Sequence, residues 1–282
     1  MKPSNLKTRI FLDSGDPQET REALELLGFL DGQTTNPSLI ANNPQTAGKK
    51  FSKNEILDFY KKVVQEISGL IPAGSVSVEV YADPSTTATE MIEQGKAFNE
   101  WIPNAHIKYP TTSAGLQAAE FSVSQRMRIN LTLCFSQEQA AAVYEATKGA
   151  QKGEVFVSPF VGRLDDRGEN GMDLIRNIIN MYDSGDDHVE VLTASVRNLE
   201  HLLYAVALGS DIVTAPLKIL REWVEQGLRI PDKDYRYQPL NLRDILPRPV
   251  ELGRPWGEYG VKHELTDVGI AKFSSDWNNL II

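Results

Sequence analysis

Short apolar runs alternate with longer amphipathic segments along most of this chain. The short runs have the length and composition of strands, and the longer segments repeat apolar residues with helical spacing. The predicted strands span residues 8–13, 30–34, 75–81, 106–109, 128–135, 154–159, 189–193 and 212–214. The predicted helices span residues 17–27, 54–68, 84–100, 113–124, 137–148, 172–184, 199–208 and 216–226. This alternation indicates an α/β protein with a parallel sheet.

Eight strands and eight helices are the numbers that close a (β/α)8 TIM barrel, and 282 residues is a normal length for one. A doubly wound open sheet is the alternative. It is disfavoured because no glycine-rich dinucleotide fingerprint follows a predicted strand. We therefore predict a single barrel domain over residues 1–282, in which residues 231–282 form an additional arm and a closing helix packed on the barrel.

Two segments do not fit the alternation of strands and helices. Residues 42–53 are polar and contain three lysines, which is typical of a solvated lid or surface connection. Residues 231–262 are rich in proline and arginine and show no period, so we predict an ordered but irregular arm over the barrel. Both segments are long enough to reach over a pocket at the barrel mouth.

The chain ends in a segment with helical spacing, residues 266–280. Thr266 or Asp267 is the predicted N-cap, because both side chains can accept a hydrogen bond from the first turn. One face carries the apolar residues Ile270, Phe273 and Trp277. This face predicts that the helix packs on the barrel.

Composition and charge limit the function classes. The hydrophobic share of 41% and the charged share of 24% are typical of a soluble globular protein. No window approaches a membrane span and the N-terminus leads into no signal-like segment, so we expect no membrane partner and a cytoplasmic location. The formal charge of −9 disfavours nucleic-acid binding, although a few arginines in a pocket can still hold a small anion.

The cysteine and histidine content favours neither a metal site nor a cofactor. Cys134 is the only cysteine, which excludes an intrachain disulfide and disfavours a thiolate cluster. The four histidines are His106, His188, His201 and His263. Their positions show no paired ligand spacing, so we predict no bound metal and no cofactor.

The fifth predicted strand has polar residues at every second position. Its apolar positions, which suit the layer beneath the helices, are Ile129, Leu131 and Leu133. The opposite parity, which then faces the barrel interior, holds Asn130, Thr132 and Cys134. An interior asparagine and threonine need hydrogen-bond partners, so this pattern fits either a polar pair that fills the barrel or part of a site.

Three ionisable residues occupy predicted strand ends. Lys108 closes the fourth strand in an apolar setting, where burial favours the neutral amine, a nucleophile toward carbonyl carbons. Asp13 closes the first strand and Glu79 lies near the end of the third. Because the carboxyl ends of barrel strands meet at one mouth, these three groups indicate an enzyme. His106, two residues before Lys108, is predicted to fill the barrel.

Several segments resemble the transaldolase family of class I aldolases. They are residues 12–13 (LD), 31–39 (DGQTTNPSL), 78–80 (VEV), 107–112 (IKYPTT), 130–133 (NLTL), 158–163 (SPFVGR) and 194–198 (ASVRN). They follow the family's order across nearly all of residues 11–216. The resemblance implies a (β/α)8 barrel with a Schiff-base lysine on its fourth strand, in agreement with the strand count.

The resemblance also implies roles for the residues of these segments. Lys108 would form an imine with a ketose, Asp13 would take the proton of the hydroxyl beside the breaking bond, and Glu79 would act through a water held by Thr132. The residues implied to bind substrate hydroxyls are Asn36, Asn130 and Ser158.

Arg163, Ser195 and Arg197 are assigned to the phosphate end of a sugar phosphate, because two guanidiniums and a hydroxyl match its charge and acceptors. Either arginine alone would suit a surface salt bridge.

In the family's fructose-6-phosphate aldolases, the positions of Glu79 and Phe160 resemble glutamine and tyrosine. Their absence here favours a transaldolase of the pentose phosphate pathway, which passes a dihydroxyacetone unit from sedoheptulose 7-phosphate or fructose 6-phosphate to an aldose phosphate. The alternatives are an aldolase-type lyase and a non-catalytic sugar-phosphate-binding barrel. The sequence leaves open whether the chain forms a homo-oligomer.

Overall fold

Eight parallel strands form a closed barrel in chain order, and β1 pairs with both β2 and β8. The structure is a computed structural model that describes residues 2–232, 234–239 and 241–282. The strands are β1 Arg9–Asp13, β2 Gly32–Thr34, β3 Ser75–Glu79, β4 Ala105–Pro110, β5 Ile129–Cys134, β6 Val155–Pro159, β7 Val189–Thr193 and β8 Ile212–Ala215. The predicted (β/α)8 barrel is confirmed, and each predicted strand matches an observed one.

Helices surround the barrel and connect successive strands. They are α1 Pro17–Leu27, α2 Pro37–Ala41, α3 Lys53–Leu70, α4 Ala88–Asn99, α5 Ser113–Ser124, α6 Gln137–Ala146, α7 Val161–Asp165, α8 Gly171–Tyr182, α9 Leu199–Leu208, α10 Leu217–Glu225 and α11 Glu264–Asn278. The five-residue helices α2 and α7 were not predicted, because one turn and a half is too short to show a period. Both follow the carboxyl end of a strand and so lie at the barrel mouth.

Side-chain caps fix where several helices begin. The predicted helix from residue 84 begins instead at Ala88, because Thr87 and Glu90 form a capping box in α4. The Asp83 side chain accepts hydrogen bonds from Ser85 and Thr86 in the preceding turn. A turn stabilised in this way competes with helical backbone hydrogen bonds.

The lower half of the barrel interior is filled by stacked rings. The His106 ring lies parallel to Phe156 at 4.1 Å, and Phe11 meets Phe156 edge-on at 6.1 Å. His106 Nδ1 and Ser75 Oγ are hydrogen-bonded at 2.7 Å. Burial lowers the pKa of His106 to about 3, so this ring is neutral at physiological pH. His106 therefore fills the barrel, as predicted.

The strict alternation predicted for the fifth strand ends at Thr132. The pairing of β5 with β6 shifts register between Leu131 and Cys134, and Leu133 has a left-handed φ of 57°. Such a bulge adds one residue and turns the following side chains. The Leu133 side chain closely approaches Gly269 of α11, and the Cys134 thiol donates to the Ser136 carbonyl at 3.6 Å. The regular alternation of β5 is therefore interrupted before Cys134.

The closing helix α11 begins at Glu264, before the predicted position. His263 is its N-cap, and the ring nitrogen Nδ1 accepts a hydrogen bond from the Leu265 N–H at 3.2 Å. The Thr266 hydroxyl instead donates to the Leu133 carbonyl at 2.9 Å, which fixes α11 to the end of β5. The predicted capping by Thr266 or Asp267 is therefore wrong. The predicted apolar face of the helix is buried, as expected for a helix packed on the barrel.

The described part of the arm, residues 231–232, 234–239 and 241–262, runs outside the helical ring. It contacts four helices in turn, α9, α8, α6 and α5. The contacts are the Tyr237 hydroxyl with His201, the backbone N–H of Ile245 with Asp173, the backbone N–H of Arg248 with Gln137, and the indole N–H of Trp256 with Glu120. The arm is irregular apart from a short 3₁₀ turn, Trp256–Glu258, as predicted. None of its described residues lines the cavity at the barrel mouth.

No helix in the described ranges is long and apolar enough to cross a membrane.

Candidate active site

The lysine of the fourth strand lies in a layer of polar side chains across the barrel. Lys108 is in register with Glu79 on β3 and with Asn130 on β5, so the three side chains point to the same side. Lys108 Nζ lies 2.9 Å from Glu79 Oε2 and donates to the Thr35 carbonyl at 3.1 Å. Lys108 is only 2% exposed. The amine is therefore held in place by two contacts at the buried base of the barrel mouth.

A second carboxylate faces the same amine. Asp13 ends β1, and its Oδ1 accepts a hydrogen bond from the Thr34 hydroxyl at 2.7 Å. Burial raises the pKa of the Asp13 carboxyl above its ordinary value, while the nearby Lys108 and the Thr34 hydrogen bond lower it. Lys108 therefore offsets part of the cost of burying the Asp13 carboxylate, and the raised pKa suits a group that accepts a proton.

Glu79 has the same electrostatic setting. Burial raises the pKa of the Glu79 carboxyl, the charge of Lys108 lowers it, and Asp13 raises it again. Moving a proton from the Lys108 ammonium to either carboxylate removes two charges from a buried site. Such a transfer gives the neutral, nucleophilic amine without releasing the proton to bulk solvent, because a carboxylate within 2.9 Å receives it.

Thr132 carries a buried hydroxyl that stands out in this layer. In the described residues, Thr132 Oγ1 makes no hydrogen bond to a protein group. An unpartnered buried hydroxyl costs about 1–3 kcal/mol, so such groups are normally satisfied by water or by a ligand. The hydroxyl lies on β5, next to the strand that carries Lys108. We therefore expect Thr132 to hold a water or a substrate hydroxyl rather than to pack the barrel.

Replacing Thr132 with valine tests this expectation. The change keeps the shape of the side chain but removes the hydroxyl, so turnover should fall about 10-fold, the effect of one hydrogen bond. The free energy of unfolding, measured by urea denaturation, should not fall, because the hydroxyl has no protein partner to lose.

Thr193→Val is the matched control, because the buried Thr193 hydroxyl shares a hydrogen bond with Ser210 at 2.9 Å. That change should lower the free energy of unfolding by about 1 kcal/mol and leave turnover unchanged. A Thr132→Val protein that lost stability and kept its turnover would contradict the expectation.

A cavity of about 280 Å³ opens above Lys108 at the barrel mouth. Eight of the predicted site residues line it: Asp13, Asn36, Lys108, Ser158, Phe160, Arg163, Ser195 and Arg197. The other three, Glu79, Asn130 and Thr132, are buried in the adjoining strands. All eleven lie on strands, or on loops and helices that follow the strands, at the same end of the barrel.

The two asparagines predicted to bind substrate differ in how many of their side-chain polar atoms are already hydrogen-bonded within the protein. Asn130 donates to Ser77 Oγ at 3.1 Å and accepts from Ser158 Oγ at 2.7 Å, so it orients Ser158 from below the cavity. Asn36 caps α2, and its Oδ1 accepts from the Leu39 N–H at 2.9 Å. This leaves the Asn36 amide hydrogens available to the cavity.

The two predicted arginines are neighbours at the other side of the cavity. Burial lowers the pKa of the Arg163 guanidinium, and the adjacent charge of Arg197 adds to this effect. Arg197 is paired with Asp166 at 2.8 Å, but its side chain is 51% exposed. In the part of the chain that the structure describes, no carboxylate lies within salt-bridge distance of Arg163. Two adjacent cations with so little compensation favour a bound anion.

The backbone brings these arginines together at one close contact. The Gly162 N–H donates to the Ser195 carbonyl at 3.0 Å, and a Cβ at position 162 would lie 2.3 Å from that carbonyl oxygen. Only glycine permits this approach. Ser195 has a left-handed φ of 59°, which is uncommon for a residue other than glycine. The loop that carries Ser195 and Arg197 therefore packs directly on the start of α7, where Arg163 lies.

The sequence pattern did not reveal the contribution of the closing helix. Lys272, Phe273 and Asp276 of α11 line the cavity. The Arg163 guanidinium lies 5.7 Å from the Phe273 ring centroid, and the Asp276 carboxylate bonds both Lys272 and the Ser38 hydroxyl. The only local signal for Lys272 and Asp276 was their spacing of four residues, which places them together on the helix surface beside its apolar face.

The two long segments contribute less to the cavity than expected. Asn42 is the lining residue from loop 42–53, and Phe51 in the same loop forms a backbone bridge with Ile281 at the end of the chain. The arm contributes no lining residue within its described part. The expectation that the arm reaches over the pocket is therefore wrong, and α11 occupies that position instead.

In the described ranges, no group of three or more histidine, cysteine, aspartate or glutamate side chains could hold a metal ion.

Comparison with known proteins identifies the family. A family model described as "Transaldolase/Fructose-6-phosphate aldolase" matches residues 10–282. A "Probable transaldolase" of Dehalococcoides mccartyi is 36% identical over 96% of this chain and 99% of the relative. A "Probable transaldolase" of Herpetosiphon aurantiacus is 34% identical over 96% of both chains, and one of Brucella ovis is 35% identical over 95% of this chain and 96% of the relative. A match of this extent shows that the protein is an enzyme of the transaldolase/fructose-6-phosphate aldolase family.

Proposed function

We propose that this enzyme is a transaldolase that moves a dihydroxyacetone unit from a ketose phosphate, sedoheptulose 7-phosphate or fructose 6-phosphate, to an aldose phosphate. The observation that carries the proposal is the buried Lys108–Glu79 pair at the base of a cavity with two guanidiniums on its wall. An amine suits a ketose carbonyl and the guanidiniums suit its phosphate. A reaction on charged sugar phosphates also fits a location in the cytoplasm.

The reaction begins at Lys108. Its neutral amine adds to the C2 carbonyl of the ketose, and the carbinolamine that results loses water to give an iminium ion. Asp13 then takes the proton of the C4 hydroxyl, the C3–C4 bond breaks, and the electron pair moves into the iminium to form an enamine. The aldose fragment leaves, and the acceptor aldehyde adds by the reverse of these steps. Hydrolysis of the new iminium restores Lys108.

Glu79 and Thr132 support the steps in which water enters or leaves. Glu79 touches the amine directly at 2.9 Å, so it is positioned to receive the ammonium proton and to protonate the carbinolamine hydroxyl. The unpartnered Thr132 hydroxyl can hold the water that this step releases and that the last step consumes. These contacts support separate roles for the two carboxylates.

The remaining lining residues bind the substrate. Asn36 and Ser158 face the three-carbon end, and Asn130 keeps Ser158 oriented. Arg163, Ser195 and Arg197 bind the phosphate of the donor and then that of the acceptor, because the aldose phosphate that enters takes the place of the one that leaves. Charge at this end also orients the sugar, so that its carbonyl carbon reaches Lys108.

Phe160 favours transfer over release. Its ring lines the cavity and packs edge-on against Phe135 at 5.9 Å. An apolar ring at this position offers no hydroxyl that could help to protonate the enamine and orient a water toward the iminium that results. The three-carbon fragment therefore remains covalently bound to Lys108 until the acceptor aldehyde binds.

The test combines trapping with product analysis. Borohydride reduction in the presence of fructose 6-phosphate should leave a three-carbon adduct on Lys108, detected by mass spectrometry of the digested protein. With erythrose 4-phosphate present, transfer should exceed the release of free dihydroxyacetone at least ~10-fold. Release at the rate of transfer would instead indicate a fructose-6-phosphate aldolase. Tight binding of the sugar phosphate without any adduct would indicate a binding protein.

A further inference from the structure

We propose that Tyr237 of the arm and His201 of α9 are positioning residues that hold the phosphate-binding arginines in place. The inference rests on the proposed function, since it concerns the affinity of the same site for phosphate. It also gives a role to the arm, which does not line the cavity within its described residues.

His201 links the two segments that carry the arginines. It is 0% exposed, and its Nδ1 accepts a hydrogen bond from the Arg197 N–H at 3.3 Å. Its Nε2 lies 2.8 Å from Asp165 Oδ2, and Asp165 is two residues beyond Arg163 in α7. Because Nδ1 accepts, Nε2 carries the proton and donates it to the carboxylate. One buried ring therefore ties the Arg197 loop to the Arg163 helix.

Tyr237 closes this network from the arm. Its hydroxyl lies 3.0 Å from His201 Nε2 and donates to Asp165 Oδ2 at 3.4 Å. It also interacts with the side chain of Asn198, the N-cap of α9. The other oxygen of Asp165 accepts from the Gly171 N–H at 2.9 Å, which fixes the carboxylate to the start of α8. The hydroxyl of Tyr237 thus contacts residues that follow both arginines.

The loop with Arg197 needs such an anchor for two reasons. Ser195 holds a left-handed backbone that costs about 1 kcal/mol and persists only where the surroundings enforce it. The two guanidiniums also repel each other when no anion is bound. Without the anchor, Arg197 would relax toward solvent, where its side chain is already half exposed. Reordering the loop would then reduce the free energy of phosphate binding.

The arm offers a matched pair of tyrosines for the test. The rings of Tyr235 and Tyr237 both pack against Tyr204, with centroids 6.2 and 5.9 Å away. Within the described residues, only the Tyr237 hydroxyl reaches the His201–Asp165 pair. Tyr237→Phe therefore removes the link and keeps the packing, and Tyr235→Phe changes the arm equally without touching the link.

The experiment measures phosphate affinity and kinetics in the full-length enzyme. Tyr237→Phe should raise both the Kd of inorganic phosphate and the KM for fructose 6-phosphate. Each should rise about 3- to 10-fold, the effect of one hydrogen bond. The kcat and the KM for unphosphorylated fructose should stay within about two-fold of wild type, since the link lies away from Lys108. Tyr235→Phe should match wild type in every measurement.

A second pair of variants tests His201. Asparagine at position 201 can still accept the Arg197 N–H through its side-chain oxygen, whereas leucine of similar size cannot. His201→Asn should therefore weaken phosphate binding less than His201→Leu. Thermal unfolding of both variants serves as the check that they remain folded.

The inference would be overturned if Tyr237→Phe bound inorganic phosphate like Tyr235→Phe, or if its KM rose equally for unphosphorylated fructose. A failure of the proposed function would look different. Wild-type enzyme would then form no adduct with fructose 6-phosphate, while the phosphate Kd of the variants would still report on the anchor.

Discussion

Lys108→Met is expected to remove the activity of this enzyme, with a loss in kcat of at least ~10⁴-fold, as for other covalent nucleophiles. Methionine keeps the length of the side chain but cannot form an imine, and the cavity above it keeps its phosphate-binding wall. Borohydride should leave no adduct anywhere in the variant. Steady-state rates and intact-protein mass measure the two outcomes together.

The same variant should change how stability depends on pH. Lys108 lowers the pKa of both Asp13 and Glu79, whose ordinary values are 3.8 and 4.5. Without it, burial raises both pKa values further above those of the unfolded chain. Such groups stabilise the fold at a pH below their unfolded values, and this stability is lost as the pH rises through the folded values. Lys108→Met should therefore lose more free energy of unfolding than wild type as the pH rises above the ordinary carboxyl values of 3.8 and 4.5.

Lys218→Met is the control for both measurements. Lys218 forms an exposed pair with Glu222 at 3.9 Å on α10 and does not line the cavity. It should keep wild-type activity and the wild-type dependence of stability on pH. An adduct on another lysine in Lys108→Met, or an unchanged pH dependence, would contradict the arrangement of charges described above.

Asp13→Asn is expected to lower kcat by about 10²–10⁴-fold while the enzyme still forms its adduct with the donor sugar. Asp13 lines the cavity at the end of β1 and is assigned to carbon–carbon bond cleavage, whereas Glu79 contacts the amine itself. Glu79→Gln should therefore slow the formation of the adduct, which Asp13→Asn should not. Trapping with borohydride after short incubations separates the two steps.

Asp31→Asn is a suitable control, since Asp31 lies just before β2 at the opposite end of the barrel. Its carboxylate accepts from the Ile10 N–H at 2.9 Å and pairs with Lys2. The change should cost stability and leave kcat unchanged. If Asp13→Asn blocked the adduct as completely as Lys108→Met, the division of roles between the two carboxylates would be wrong.

Much of the candidate site could be predicted because a barrel brings strand ends together. Asp13, Glu79 and Lys108 each stand at the end of an apolar run, and in a closed parallel barrel these ends share one mouth. The alternation of side chains along each strand also placed His106 below Lys108 in the barrel interior, where the structure shows it stacked on Phe156. These inferences need only the period of a strand and the number of strands.

Other features could not be predicted from a local pattern. The register shift in β5 depends on how Leu133 meets the closing helix, so the interruption of the alternation before Cys134 could not be foreseen. The bond between Ser38 and Asp276 joins residues 238 positions apart. Contacts at such separations are selected by packing between whole elements, and the sequence around either residue carries no sign of the other.

The sequence by itself therefore determined the eight-unit barrel, the lysine at the end of its fourth strand and the carboxylates near it. It could do so because strand and helix periods are local properties, and because barrel closure converts them into one shared mouth. Only the tertiary structure decided that α11 forms a wall of the cavity, that the arm stays outside the helical ring, and that Tyr237 reaches the arginine loop through His201. Those outcomes depend on side-chain contacts between distant segments, and no period along the chain encodes them.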